Sequence, residues 1–144
     1  YDAVMSTYKN SDIIIKAAAV GDFKPVSKAV NKIKKSDDYT INLIKNRDIL
    51  EALGKLKDDR IVVGFCMETE NLIENAKSKL KRKNADLIVA NSLNDEGAGF
   101  QCDTNTVTII DKNENIISLP NMHKEKVAEE ILNIALKLKV GEKT

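Results

Sequence analysis

The sequence has no tryptophan, one histidine, two cysteines and two prolines, and aromatic residues fill only 4% of its 144 positions. Cys66 and Cys102 lie far apart, without C-x-x-C or Cys/His ligand spacing, so neither a disulfide framework nor structural zinc is expected. His123 is the sole histidine, so no Ser-His-Asp arrangement can be argued, and Cys102 reads as a small buried thiol rather than an activated nucleophile. No apolar run approaches the ~20 residues of a membrane span, and no signal-peptide pattern precedes those present. An excess of one charge is lacking too: 23 Lys+Arg stand against 22 Asp+Glu, far from the basic surplus of a duplex-binding protein. The expectation is a reduced, cytoplasmic protein with neither nucleic acid nor membrane as partner. Any anion site must be local.

What is present is an alternation of strand-like and helix-like segments, and 144 residues suffice for one domain with its own core. YDAVMSTYKN reads as the end of an amphipathic helix and the chain opens on Tyr1, so an N-terminal part of the domain is expected to precede it. DIIIKAAAV (12–20) is a nearly continuous apolar run, as for a strand covered on both faces. YTINLI (39–44) alternates like an exposed or edge strand. NRDILEALGKL sets Ile49, Leu50, Leu53 and Leu56 on one helical face behind Asn46 as N-cap. RIVVGFC (60–66), a helix with Leu72, Ile73, Ala76 and Leu80 at helical spacing, and DLIVAN (86–91) together read as a right-handed parallel crossover. NTVTIID and NIISLP flank turn residues 112–114 as a hairpin, and a last helix aligns Val127, Ala128, Ile131, Ala135 and Leu138. The fold class expected is α/β: a Rossmann-like, mainly parallel sheet with helices on both faces and a C-terminal antiparallel hairpin. Ligands of such sheets sit beyond the carboxyl ends of the strands, which makes AAAVGDF, GFCMET and VANSLNDEGAGF candidates for one cleft.

Three basic segments could meet an anion there. KAAAVGDFKPVSKAVNKIKK carries Lys24, Lys28, Lys32, Lys34 and Lys35; alone it fits a solvated loop, but it follows a buried strand, and compact ammonium groups suit phosphate charge. KNRDIL opens a helix whose unpaired N–H groups and positive dipole end can cradle a phosphate, with Lys45 and Arg47 adding charge; Asp48 reads equally as a first-turn acid. KSKLKRKN places Lys79 and Lys83 on one side of a helix end, where cations are also expected from the dipole alone. Phe65 could stack on a base or fill the core, and Glu68 could bind a metal or cap a helix. The Gly-rich NDEGAGF is neither a GxGxxG nor a Walker motif.

The stretches AAAVGDFKP, KIKK, KNRDIL, GFCMETENL, KLKRKNADLIVAN, GFQCDTNTVTII and LPNMHKEKVAEEIL, in this order and spacing, resemble the phosphopantothenate-cysteine ligase family of the bacterial coenzyme A flavoproteins over nearly the whole chain. The resemblance implies CTP-dependent ligation of 4'-phosphopantothenate with cysteine through an acyl-cytidylate, with Mg²⁺ on the triphosphate and a homodimer. FMN would belong only to a flavin decarboxylase fused outside this chain. Carried over by position, Lys32 corresponds to the catalytic lysine. Ala18, Ala19, Asp22, Lys32, Arg47, Asp48, Ile49, Leu50, Phe65, Lys79 and Lys83 correspond to the nucleotide site. Val26 to Leu43 is the segment expected to reach a neighbouring subunit. The sequence departs from the family at Arg47, commonly proline, and at Gly21, Cys66 and Met67, often alanine; the family's N-terminal glycine-rich strand-turn-helix and asparagine loop have no counterpart. The alternatives are a non-catalytic nucleotide- or anion-binding module and a dinucleotide-dependent oxidoreductase; the latter lacks the acid expected after a GxGxxG.

Overall fold

The structure, a computed structural model, describes residues 1–35, 38–92 and 102–141. In chain order it contains α1 (Asp2–Thr7), a 3-10 turn (Tyr8–Asn10), β1 (Ile13–Lys16), β2 (Phe23–Pro25), β3 (Leu43–Lys45), α2 (Ile49–Leu56), β4 (Ile61–Glu68), α3 (Leu72–Lys83), β5 (Leu87–Ser92), β6 (Thr104–Asp111), β7 (Ile116–His123) and α4 (Lys124–Val140). The main sheet runs β1-β4-β5-β6-β7, and β2 and β3 form a separate two-stranded ribbon. β1, β4 and β5 are parallel, and β6 and β7 add an antiparallel hairpin. The α/β class expected from the sequence is the one observed.

The centre of the sheet follows from composition. β4 and β5 are continuous β-branched and apolar runs, and Ile61, Val62, Val63 and Leu87 to Ala90 are all buried, as strands covered on both faces require. Alternate residues serve the two faces. Val63, Leu87 and Val89 pack under Val127, Ile131, Ile134, Ala135 and Leu138 of α4. Val62, Ile88 and Ala90 face Leu50 and Leu53 of α2 and Ala76 and Leu80 of α3, with Val4, Met5 and Tyr8 at the margin.

Several local expectations change. The run 12–20 is a strand only as far as Lys16, which pairs with Gly64; β1 is an edge strand, and the small side chains of Ala17 to Val20 lie exposed beyond it. In 39–44 only Leu43 and Ile44 belong to a strand, because β3 matches the short β2 over three pairs. Ile73 is exposed, since Leu72, Ala76 and Leu80, spaced by four, carry the α3 contact. In α4, Ala128 is exposed and Ile134 takes a buried place. The cap of α2 is Asp48, whose Oδ1 accepts the Glu51 N–H at 2.9 Å. Asn46 instead ties β3 to the loop after β1: its Nδ2 donates to the Gly21 carbonyl at 2.7 Å and its N–H to that of Asp22 at 2.7 Å.

Two buried carboxylates fasten the opposite end of the sheet. Asp86 accepts the Val62 N–H and the Lys57 ammonium, each at 2.9 Å, joining the end of α2 to β4 and β5. Asp111 accepts the N–H groups of Asn113 and Asn115 and so sets the hairpin turn, in which Glu114 takes a left-handed φ of 64°. No helix among the described residues is long and apolar enough to cross a membrane.

Candidate nucleotide site

Beyond the carboxyl ends of β1, β4 and β5 lies a cavity of about 630 Å³, within the usual range for small-molecule sites. One wall is the loop Ala17 to Asp22, whose small side chains let a ligand approach the backbone. The start of α2, from Asn46 to Leu50, forms a second wall; Phe65 to Met67 of β4, Lys79 and Lys83 of α3 and Val127, Ala128 and Ile131 of α4 complete it. Lys16, Lys45, Arg47, Lys79, Lys83 and Lys124 oppose only Asp22 and Asp48 among the lining residues, so the cavity is strongly cationic in a nearly neutral protein. The helix α2 also starts at the cavity, which Asp48, Ile49 and Leu50 line; the Glu51 N–H is taken by Asp48, and the positive end of the helix dipole adds fixed charge there.

A close backbone approach aligns α2 with α3. At Gly54 a Cβ would stand 1.8 Å from the carbonyl oxygen of Lys83, so only glycine lets the helix ends meet, and Asn84 Nδ2 donates to the Gly54 carbonyl at 2.7 Å. The Lys83 ammonium is thereby set against two carboxylates of α2: Asp48 Oδ2 at 2.7 Å and Glu51 Oε2 at 3.1 Å. Burial opposes the charge of Lys83, but its hydrogen bonds to Asp48 and Glu51 outweigh that and raise its pKa. Burial likewise opposes ionisation of Asp48, yet Lys83 and the Glu51 N–H hold its carboxyl below the usual range.

The other cations are disposed differently. The Lys16 ammonium donates to the Ala18 carbonyl at 2.6 Å, bracing the loop that follows its own strand. Arg47 turns toward α1, with Nη2 2.7 Å from Asp2 Oδ1 and its guanidinium 4.0 Å from the centre of the Tyr1 ring. Lys79 has no ion-pair partner among the described residues, whereas Lys77 and Lys81 on the same helix both pair with Glu114 of the hairpin. Cys66 also lines the cavity; burial pushes its thiol up to about 11 despite the nearby charge of Lys79, so it is a poor nucleophile at neutral pH.

The residues singled out in the sequence are thus largely brought together. Ala18, Ala19, Asp22, Arg47, Asp48, Ile49, Leu50, Phe65, Lys79 and Lys83 all line the one cavity. Lys32 does not; it lies in the exposed connection between β2 and β3. The Gly-rich stretch NDEGAGF lies outside the described residues. Sequence reasoning missed Lys16, Asn105 and Lys124 as lining residues, whereas Asn91 lies in the VANSLNDEGAGF stretch expected at the cleft; for Lys16 the available signal was a charged residue closing an apolar strand. Glu68 holds Asn75 through its Oε2 at 3.1 Å, and His123 is exposed without a side-chain capping bond.

Residues 1–138 match the family described as the DNA/pantothenate metabolism flavoprotein C-terminal domain. The chain belongs to that family. Among relatives of this flavoprotein domain, the coenzyme A biosynthesis bifunctional protein CoaBC of Bacillus subtilis strain 168 is 46% identical over 99% of this chain and 36% of its own length. A cysteine/cysteine sulfinic acid decarboxylase from an unknown prokaryotic organism is 47% identical over 95% of this chain and 39% of its own. The chain spans little more than a third of the length of those curated relatives. Among solved structures, the C-terminal domain of a CoaBC protein superposes with a TM-score of 0.75 at 40% identity, covering 96% of this chain and 60% of that one.

The Asp48–Lys83 pair yields a test by pH. A depressed carboxyl pKa adds stability above the unfolded value near 3.8 that is lost as pH falls through the lower folded value. Asp48→Asn keeps a competent N-cap but loses the charge pair, and should lower stability at pH 7 by about 1 kcal/mol. In urea unfolding, the gap from wild type should close as pH falls below 3.8; a gap independent of pH would show that the pair carries no such stability.

Proposed function

We propose that this domain serves as the ligase half of a coenzyme A biosynthetic enzyme, joining 4'-phosphopantothenate to cysteine at the expense of CTP. The observation that carries the reading is the meeting, in one cationic cavity, of a helix N-terminus, a small-residue loop and the free ammonium of Lys79. That combination suits a nucleoside triphosphate: phosphates against N–H groups and lysines, and a base near Phe65. Membership of the flavoprotein family, and the CoaBC name of its relatives, support the substrate class.

In the proposed reaction the carboxylate of phosphopantothenate attacks the α-phosphate of CTP and pyrophosphate leaves. The cysteine amine then attacks the acyl carbon, and CMP departs with the bonding electrons. Lys79 and the start of α2 offset negative charge that builds on the phosphates, where electrostatic stabilisation acts most strongly. The apolar side chains of Val127 and Ile131 on the α4 wall limit access of water to the acyl phosphate.

Among the described residues no three His, Cys, Asp or Glu side chains converge as metal ligands, and Asp48 is engaged by Lys83. Asp22 is the remaining cavity carboxylate, so Mg²⁺ would be held mainly by the triphosphate oxygens with Asp22 as the protein oxygen at hand. Bound there, it would supply further neutralisation of the phosphates.

Lys32 would act on the acyl-cytidylate, carried over the cavity of its own or a neighbouring chain by the β2–β3 connection. That connection and its ribbon expose Phe23, Val26, Val30, Ile33, Tyr39, Ile41 and Leu43, an apolar set that a lone two-stranded ribbon cannot cover. A homodimer packed through this arm would bury it. A non-catalytic nucleotide-binding module is the second reading, favoured by the distance of Lys32 from the cavity lining.

The intact protein, given CTP, phosphopantothenate and cysteine, should release pyrophosphate and CMP; CTP binding without pyrophosphate release would favour the second reading. Lys32→Ala should keep CTP affinity within about twofold yet slow CMP release by about 100-fold or more. Wild-type turnover by that variant would remove the assignment. Sedimentation equilibrium should give twice the monomer mass, falling toward one when Val30 and Ile33 are changed to Asp; a wild-type monomer would count against the arm.

A further inference from the structure

Glu51 contributes no side chain to the cavity lining, but one of its carboxylate oxygens reaches a residue that does. Its Oε1 is 2.7 Å from Lys55, one turn further along α2, while its Oε2 is 3.1 Å from Lys83. Asp48 holds Lys83 from the other side at 2.7 Å but is committed elsewhere as well, since its Oδ1 caps α2 through the Glu51 N–H. The two acids therefore differ in how readily they let go. Moving Asp48 would cost the helix its cap, whereas Glu51, its side chain 38% exposed, can release Lys83 and stay paired with Lys55.

We propose that Glu51 acts as an exchangeable counter-ion that makes Lys83 available only to ligands charged enough to displace a carboxylate. This rests on the reading of the cavity as a nucleotide site and adds a specificity device to it. A triphosphate offers several charges to replace the one withdrawn, so Glu51 passes wholly to Lys55 and Lys83 joins Lys79 on the phosphates. A monophosphate offers less, and in competition with Glu51 it gains little from Lys83. Discrimination of this kind favours a triphosphate substrate over a monophosphate product at the same site.

The readout is the ratio of CTP to CMP affinity, measured by titration calorimetry on the intact protein. Glu51→Gln leaves the hydrogen-bonding shape but removes the competing charge, and should lower the CTP preference by about three- to fivefold, mainly through tighter CMP binding. In a Lys83→Met background the same change should leave the ratio where Lys83→Met alone put it. Lys55→Met, which removes the alternative partner of the displaced carboxylate, should weaken CTP binding more than CMP binding. A ratio unchanged in Glu51→Gln, or an equal fall with and without Lys83, would overturn the exchange while leaving the nucleotide site intact. Wild-type protein that binds neither nucleotide would remove the nucleotide reading and the exchange with it.

Discussion

The cleft depends on the meeting of the start of α2 with the end of α3, closed by the Lys83 ammonium between Asp48 and Glu51. Both helices lie on the same face of the sheet, and Leu50, Leu53, Ala76 and Leu80 pack them onto Val62, Ile88 and Ala90. Hydrophobic burial fixes their depth but not their rotation or register, because it is non-directional. Gly54 supplies that precision by allowing backbone to meet backbone, and the ion pairs then lock the α2 N-terminus at the mouth of the parallel strands. A larger residue at position 54 would push apart the two helices between which Lys83 is held.

The electrostatic design is one of restraint. A cavity with six cations among its lining residues would be costly to hold together if every one were unpaired. Arg47 is drawn to Asp2 and Tyr1, Lys83 to its two acids and Lys16 to a backbone carbonyl, whereas Lys79 has no ion-pair partner among the described residues. At the other end of the sheet, Asp86 accepts the Val62 N–H, which would otherwise be buried without a partner, and Asp111 accepts N–H groups of the hairpin turn.

Much of this was legible in the sequence, for reasons that differ by element. β4 and β5 were plain because a strand buried on both faces must be apolar at every position. The cleft was legible because the carboxyl-end rule follows from parallel topology, which the strand-helix-strand order implied. The N-cap was misassigned because Asn46 and Asp48 are both good caps, and the choice was made by Asn46 finding the Gly21 and Asp22 carbonyls some 25 residues away. The partners of Lys83 lie 32 residues from it at Glu51, beyond any local pattern, so its charge looked free when it was not. The extent of β1 was overestimated for a related reason: Ala17 to Val20 have strand-like composition, but β4 gives them no partner past Gly64. Lys32 was singled out by motif alone, and the exposed segment that carries it belongs to neither cluster of the core.

The central claim is that the cationic cavity between the Ala17–Asp22 loop, the start of α2 and Lys79 receives the phosphates of a nucleotide. The most direct measurement is a crystal structure of the protein with CTP. The account predicts triphosphate density against the first N–H groups of α2 and the Lys79 ammonium, with Glu51 turned from Lys83 toward Lys55. Nucleotide bound at the opposite end of the sheet, around Asp86 and the β6–β7 turn, or a cavity empty at saturating CTP, would contradict it.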